Sequence, residues 1–202
     1  MAKIKLTKTE LKRQRDGLRQ FERFLPTLQL KKQQLQLEMR NCQAQLDENR
    51  QREQELMDNL KPWIQLFGDE QAVTRLTEIV ELRRVISEER NIAGVIVPVF
   101  SGVDISVSEY NLFAEEPWID DAVAILEKFL AVRCEREIIE EQHRLLGIEL
   151  RTTTQRVNLF EKVKIPEARE NIRKIQIYLG DMDTAAVGRS KIAKRKVQES
   201  AA

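Results

Sequence analysis

The chain has 202 residues, a third of them charged (34 Lys+Arg against 33 Asp+Glu), with 5% aromatics, 7 Gly and 5 Pro. That is the composition of long helices rather than of a compact globule, which needs more turn residues and aromatics for its corners and core. A net charge of +1 gives no overall nucleic-acid footprint. The longest apolar run, Ala93 to Phe100, is broken by Pro98 and is far short of the roughly 20 residues that cross a bilayer. Met1-Ala-Lys-Ile-Lys5 leads into more charge rather than an apolar leader core. The expectation is a cytoplasmic protein without direct membrane insertion.

The first element is a helix over residues Thr7 to Leu60. With Leu11 as heptad position a, the a slots hold Leu11, Leu18, Leu25, Lys32, Met39, Leu46, Glu53 and Leu60. The d slots hold Gln14, Phe21, Leu28, Leu35, Cys42, Asn49 and Leu56. The exceptions to an apolar seam are Gln14, Lys32, Asn49 and Glu53. A seam sustained over this many heptads is a coiled-coil signal. Such a helix is about 80 Å long, so it requires an equally long partner. Pro26 is expected to bend this helix rather than end it, because the heptad phase continues through Leu28 and Leu35.

Lys61-Pro62 closes the helix. Trp63, Ile64, Leu66 and Phe67 form an apolar knot, and Gly68-Asp69 a turn, with Asp69 as N-cap of a second helix ending near Arg90. Its apolar stripe is Val73, Leu76, Ile79, Val80 and Ile86. A β-hairpin follows: Val95–Phe100, a turn at Ser101-Gly102, then the alternating Val103–Tyr110. Pro98 assigns its first strand to an edge. Being marginal alone, the hairpin must lie on helices or on another protein.

Glu116-Pro117-Trp118 restarts helix, which continues to about Lys196. One apolar set is Val132, Ile138, Ile139, Leu145, Leu146, Leu150, Val157 and Phe160. After Pro166 a heptad seam runs through Ala168, Ile172, Ile175, Leu179, Met182 and Ala186. An alternative phase through Leu146, Leu150, Val157 and Phe160 fits almost as well. The fold class is therefore mainly α: a long antiparallel two-helix coiled coil with a small helix plus β-hairpin insert. Residues 1–60 are the N-terminal helix and 61–117 the insert, with the hairpin at about 93–110. Residues 118–197 are the C-terminal helix and 198–202 a disordered tail. Antiparallel return is expected to set position 10 near 190, Leu60 near Arg144, and Pro166 near residue 36.

Signals for chemistry are weak. No Gly-rich phosphate loop of either common pattern occurs. His143 is the only histidine and lacks the spaced partners of a metal site. Glu135, Glu137, Glu140 and Glu141 read as a solvated helical face, and Ser101 and Ser106 have no triad partners. Cys42 and Cys134 fit no paired motif and read as small buried hydrophobes. No cofactor is expected. Both chain ends are basic, from Lys3 to Arg23 and from Arg189 and Lys191 to Lys196. Antiparallel pairing would bring them to one tip, as a solvated end, a contact for an acidic protein sleeve, or a nucleic-acid contact without stacking aromatics.

Thr154-Gln-Arg-Val-Asn-Leu-Phe-Glu-Lys-Val-Lys-Ile-Pro166 resembles the signature of the D subunit of V/A-type ATPases, through Arg156-Val157-Asn158, Val163 and Ile165-Pro166. So do Thr7-Lys8 with Leu11, Leu25-Pro-Thr-Leu-Gln-Leu-Lys-Lys-Gln-Gln-Leu35, and Arg90-Asn-Ile-Ala-Gly-Val-Ile-Val-Pro98. The likeness covers nearly the whole chain in order. The resemblance implies a non-catalytic central stalk, the rotor shaft inside a hexamer of catalytic and non-catalytic A and B subunits. It implies pairing with the small F subunit, docking on a socket subunit (C or d) above the membrane ring, and no nucleic acid. Hydrolysis or synthesis of ATP would thereby be coupled to rotation of the ring and to proton or sodium transport. The candidate interface and coupling residues are Leu11, Arg15, Leu18, Pro26, Leu28, Lys31, Lys32, Leu35, Pro98, Arg156, Asn158, Pro166, Ile172, Ile175, Leu179, Met182, Arg189 and Lys191. The competing readings are a non-rotary coiled-coil scaffold or adaptor, a basic-tipped nucleic-acid or chaperone-like binding protein, and a helical enzyme.

Overall fold

The structure is a computed structural model that describes residues 4–61, 70–111 and 118–200. The elements are α1 (Lys8–Leu60), α2 (Glu70–Ile79), β1 (Val80–Ile92), β2 (Val95–Val107), α3 (Ile119–Leu159), a π-helical turn (Phe160–Lys164) and α4 (Ile165–Ser200). They form two compact units, one of Met1–Lys32 with Thr152–Ala202 and one of Gln33–Arg151.

α1 begins with a local device. Thr7 Oγ1 accepts a 3.2 Å hydrogen bond from the Glu10 amide, the first half of a Thr-x-x-Glu capping arrangement that satisfies an otherwise orphan donor. The helix then passes through Pro26 without ending. Every a and d position of the heptad reading is buried or half-buried, including the polar ones.

In the second unit α1 runs antiparallel to α3. Gly147 lies beside the Met39 side chain, and Glu53 reaches back to Arg133 and Arg136. One core is formed by Leu35, Cys42 and Leu46 of α1, Ile139 and Leu146 of α3, and Ile92 and Val97 of the hairpin. A second joins Leu76, Ile79 and Val80 to Trp118, Ile119, Ala122 and Val123, with Ile105 and Tyr110 against it. Each fully buried aliphatic side chain contributes about 1.5–3 kcal/mol. The hairpin is thus held at both ends. A strand of 13 residues reaches about 40 Å, and α3 from Ile119 to Leu146 is about as long.

The hairpin is longer than the sequence reading and its turn lies elsewhere. Residues 80–92, expected as the second half of a helix ending near Arg90, form β1, and α2 stops at Ile79. β1 pairs antiparallel with β2 from Val80↔Val107 to Ile92↔Val95, so the turn is Ala93-Gly94. Ser101-Gly102 is instead inside β2: Gly102 pairs with Ile86 and Phe100 with Ser87, leaving Ser101 as a bulge. Charged residues fit either a helix or an exposed strand, and twelve cross-strand pairs decided for the strand. Pro98, opposite Glu89, sits in a sheet of two strands, both of them edges. The apolar knot at 63–67, the Gly68-Asp69 turn, the Val73 side chain and the Pro117 helix start lie outside the described residues.

Both turn residues have positive φ, 50° at Ala93 and 82° at Gly94, as a two-residue type I′ hairpin requires. Asn91 Oδ1 accepts the Gly94 amide at 2.9 Å. A Cβ at Gly94 would be strained by its backbone. Gly94→Ala is expected to lower stability by about 1–2 kcal/mol, measured by denaturant unfolding.

In the first unit α1 is again antiparallel to the last helix. The Phe21 and Phe160 rings are 5.2 Å apart, Arg169 pairs with Glu22 at 2.7 Å, and Asn171 Nδ2 meets Gln14 Oε1 at 3.5 Å. These contacts correct the expected alignment. Pro166 lines a groove with Glu10, Arg13 and Gln14 rather than lying near residue 36. Glu10 shares that groove with Lys174, not with position 190. In the second unit Glu53 meets Arg133, so Arg144 is not level with Leu60. The expected alignment assumed equal helices folding back at their ends, whereas cross-helix side-chain pairs set it.

Candidate coupling interface

α4 outruns its partner. Ile165, Ala168, Asn171 and Ile175 are buried and Ile172 and Leu179 half-buried, but every residue from Gly180 to Ser200 is exposed. Met182, expected in the seam, is 46% exposed. The seam stops because α1 begins at Lys8 and no described residue of this unit lies opposite the last turns. The two basic segments are correspondingly not at one tip: the N-terminal one flanks the groove beside Lys174, while Arg189 to Lys196 lie on the exposed part of α4. Residues 198–200, expected as disordered tail, are helical.

The other singled-out residues divide by burial. Leu35 and Ile175 are fully buried, Leu11, Leu18, Leu28, Lys31, Lys32 and Pro98 half-buried, and Arg15, Pro26, Arg156, Asn158, Pro166, Arg189 and Lys191 exposed. Arg156 and Asn158 flank the buried Val157, so the backbone periodicity that buries the one presents the other two. Phe24, Leu159 and Val163 add exposed apolar surface. A groove of about 690 Å³ opens beside Gly17 and Ala168, where two small residues leave space between α1 and α4.

Among the described residues helix periodicity is interrupted once. The Ile165 amide donates to Phe160 O, five residues back, and Pro166 has no amide to donate. One residue is thereby looped out of the α spiral, a π-bulge.

Sequence reading missed the polar layer of the second unit. Asn49 is 0% exposed. Its Nδ2 donates to Val132 O at 3.1 Å and to Glu135 Oε2 at 2.9 Å. Arg52 donates to the other Glu135 oxygen at 3.1 Å. One turn on, Glu53 accepts from Arg133 at 3.3 Å and from Arg136. The available signal was that Asn49 and Glu53 break the apolar seam.

Cys42 and Cys134 are buried. Burial, then Glu38 for Cys42 and Glu137 for Cys134, pushes both thiols up. A raised folded value favours the neutral thiol, so its stabilising contribution is present below the ordinary thiol range and lost as pH rises through the folded value. Both thiols are expected to resist a thiol-reactive dye at about pH 7 until the chain is denatured, as a stopped-time labelling assay would read. Among the described residues no group of three His, Cys, Asp or Glu could hold a metal ion, and no helix is long and apolar enough to cross a membrane.

An antiparallel coiled coil strapped by a β-hairpin, with exposed apolar and basic surface along its last helix, is the class of protein this architecture defines. A family model described as the D subunit of ATP synthase matches residues 10–195. The chain is 43% identical over 194 residues to the V-type ATP synthase D subunit of Borreliella burgdorferi, covering 96% of this chain and 95% of that one. It is 34% identical over 198 residues to the V-type ATP synthase D subunit of Chlamydia abortus (98% and 95% covered) and 35% to that of Chlamydia felis (98% and 95%). The chain belongs to the family of ATP synthase D subunits.

Proposed function

We infer that this chain is the central stalk of a V/A-type rotary ATPase, a non-catalytic rotor shaft that carries torque between a catalytic hexamer and a membrane ring. Family membership across residues 10–195 carries the reading, and the paired seam of α1 with α3 supports it. Helices sharing one apolar seam resist twisting together, while an outer face of Gln, Arg, Lys and Glu can slide past its housing. In this reading the A and B subunits of the hexamer surround the shaft, the F subunit and the socket subunit (C or d) bind it, and the nucleotide and proton or sodium sites lie on those other chains. The protein then sits at the cytoplasmic side, joined to the membrane through the complex. The Val95–Tyr110 hairpin and its neighbours contact the F subunit or modulate activity.

The test is affinity purification of the tagged full chain from its own cells. A large ATPase hexamer with a small companion protein is the expected catch, and depletion of the chain should leave ATP hydrolysis that no longer moves ions. Recovery of the chain alone, or with RNA in a salt-dependent complex, overturns the reading.

The two proline sites extend it. Pro26 lies five residues past Phe21, whose ring meets Phe160 at the start of the π-turn, so Pro26 and the π-turn are about two turns apart. Two helix irregularities within about two turns of each other would make the shaft asymmetric toward its three catalytic neighbours. Pro26→Ala with Pro166→Ala is expected to lower the ions moved per ATP in the reconstituted complex, and an unchanged ratio removes the idea.

A further inference from the structure

We propose that the layer formed by Asn49 and Glu53 of α1 with Glu135 and Arg136 of α3 is a register key, which fixes the axial alignment of the two helices and so keeps torque from being lost as sliding. The inference deepens the shaft reading and rests on it for the role of torque alone. The alignment itself is independent of any partner.

The apolar seam cannot choose one alignment. A slip of one heptad returns a and d positions to equivalent holes, so the heptad spacing alone is compatible with more than one alignment. The polar layer does choose. In the observed alignment Asn49 donates to Val132 O and Glu135, and Glu53 is held by Arg133 and Arg136. One heptad in one direction puts Leu126 and Phe129 opposite Glu53, so the carboxylate faces apolar side chains in place of two guanidinium groups. One heptad in the other direction puts Glu140 and His143 there, with Glu140 a like charge. Asn49 would then face Ile125 and Lys128, or Ile139 and Gln142, and lose the Glu135 carboxylate in both cases.

Burial sharpens the choice. Asn49 is 0% exposed, and the side chains of Glu53 and Arg136 are 15% and 19% exposed. Mispairing here cannot be repaired by bulk water as it would be at a surface. The layer also carries a stability penalty, since Asn49 Oδ1 and Arg136 Nε find no hydrogen-bond partner. A buried polar group that costs stability yet specifies register is the best-attested use of such residues.

The test uses the full chain with Cys42→Ala and Cys134→Ala. Met39→Cys with Gly147→Cys reports the observed alignment, because the two positions face each other across the seam, the Met39 Cε lying 3.9 Å from a Cβ at Gly147. Met39→Cys with Glu140→Cys, or with Thr154→Cys, reports a one-heptad slip in either direction. Under mild oxidation only the first pair should form a disulfide. Adding Asn49→Leu, Glu53→Leu and Arg136→Leu is expected to raise slipped-pair disulfide at least about tenfold while helicity and thermal midpoint hold. The charge exchange Glu53→Arg with Arg136→Glu should restore the single alignment. Cross-linking confined to the first pair in the triple variant overturns the proposal, as does loss of folding in that variant, which would make the layer a stability element. In the assembled complex the triple variant should hydrolyse ATP but move fewer ions per ATP. Slipped cross-links together with an unchanged ion ratio would leave the key standing and sink the shaft reading.

Discussion

Deleting Val163 should leave the pairing of α1 with α4 intact, whereas deleting Arg169, six residues on, should disrupt it. Inward positions on the last helices run Leu146, Leu150, Thr153, Val157 and Phe160, in steps of four and three. The next is Ile165, five residues on, followed by Ala168, Asn171 and Ile175. One residue too many for a heptad is thus present between Phe160 and Ile165, and each α-helical residue turns the chain by about 100°. The π-turn absorbs the surplus, so both Phe160 and Ile165 face α1. Removing the exposed Val163 makes the bond from the Ile165 amide to Phe160 O an ordinary four-residue helical bond and leaves the later phase unchanged. The expected stability change is within about 0.5 kcal/mol, the range of ordinary surface changes. Removing Arg169 turns Ile172, Ile175 and Leu179 away from α1. The lost burial is about 4 kcal/mol, taking Ile175 as fully and the other two as partly buried; the exposed Arg169–Glu22 pair adds little. Hydrogen exchange over residues 8–32 reads the outcome, with fast exchange after the Arg169 deletion and near-native protection after the Val163 deletion. Equal protection in both would refute the phase argument.

Leu146→Ala should be the most damaging single truncation in the second unit. Leu146 is 0% exposed and packs in the cluster where α1, α3 and the hairpin tip meet. Three elements surround the site, so it cannot collapse readily around the lost atoms, and the cost should fall in the middle of the range for such truncations, about 3–4 kcal/mol. The thermal midpoint should fall by roughly 10 °C. Ile148→Ala, two residues on but 54% exposed, is the control and should cost under about 0.5 kcal/mol. Because Ile92 and Val97 share the cluster, the hairpin tip should also lose exchange protection in Leu146→Ala. A tip that stays protected would mean it is held by contacts other than this core.

The heptad register of α1 was legible because it is a local property. Side-chain spacing along one helix fixes which face is apolar, and each slot from Leu11 to Leu60 is buried or half-buried as its spacing requires. Antiparallel return and the presence of a hairpin were also legible, from helix length and from β-branched runs. The hairpin's extent was not. Val80 and Ile86 satisfy a helical stripe as well as a strand, and only pairing with Val107 and Gly102 across the sheet distinguishes the two.

The polar layer was half visible. Asn49 and Glu53 stood out as breaks in the seam, but their partners Glu135, Arg133 and Arg136 read as one more charged helical face. Charge on a helix is ordinary, and only the opposing helix turns it into a buried contact.

Sequence by itself determined which residues of α1 face inward, because that depends on about 3.6 residues per turn and nothing distant. It also carried two incompatible phases for the last helix, one through Phe160 and one through Ala168. The tertiary structure reconciled them, with a π-turn ahead of a proline that has no amide to offer. It alone decided how far one helix is shifted along the other, since a repeating apolar seam is nearly degenerate to sliding and the few polar groups that lift the degeneracy act only across the gap between helices.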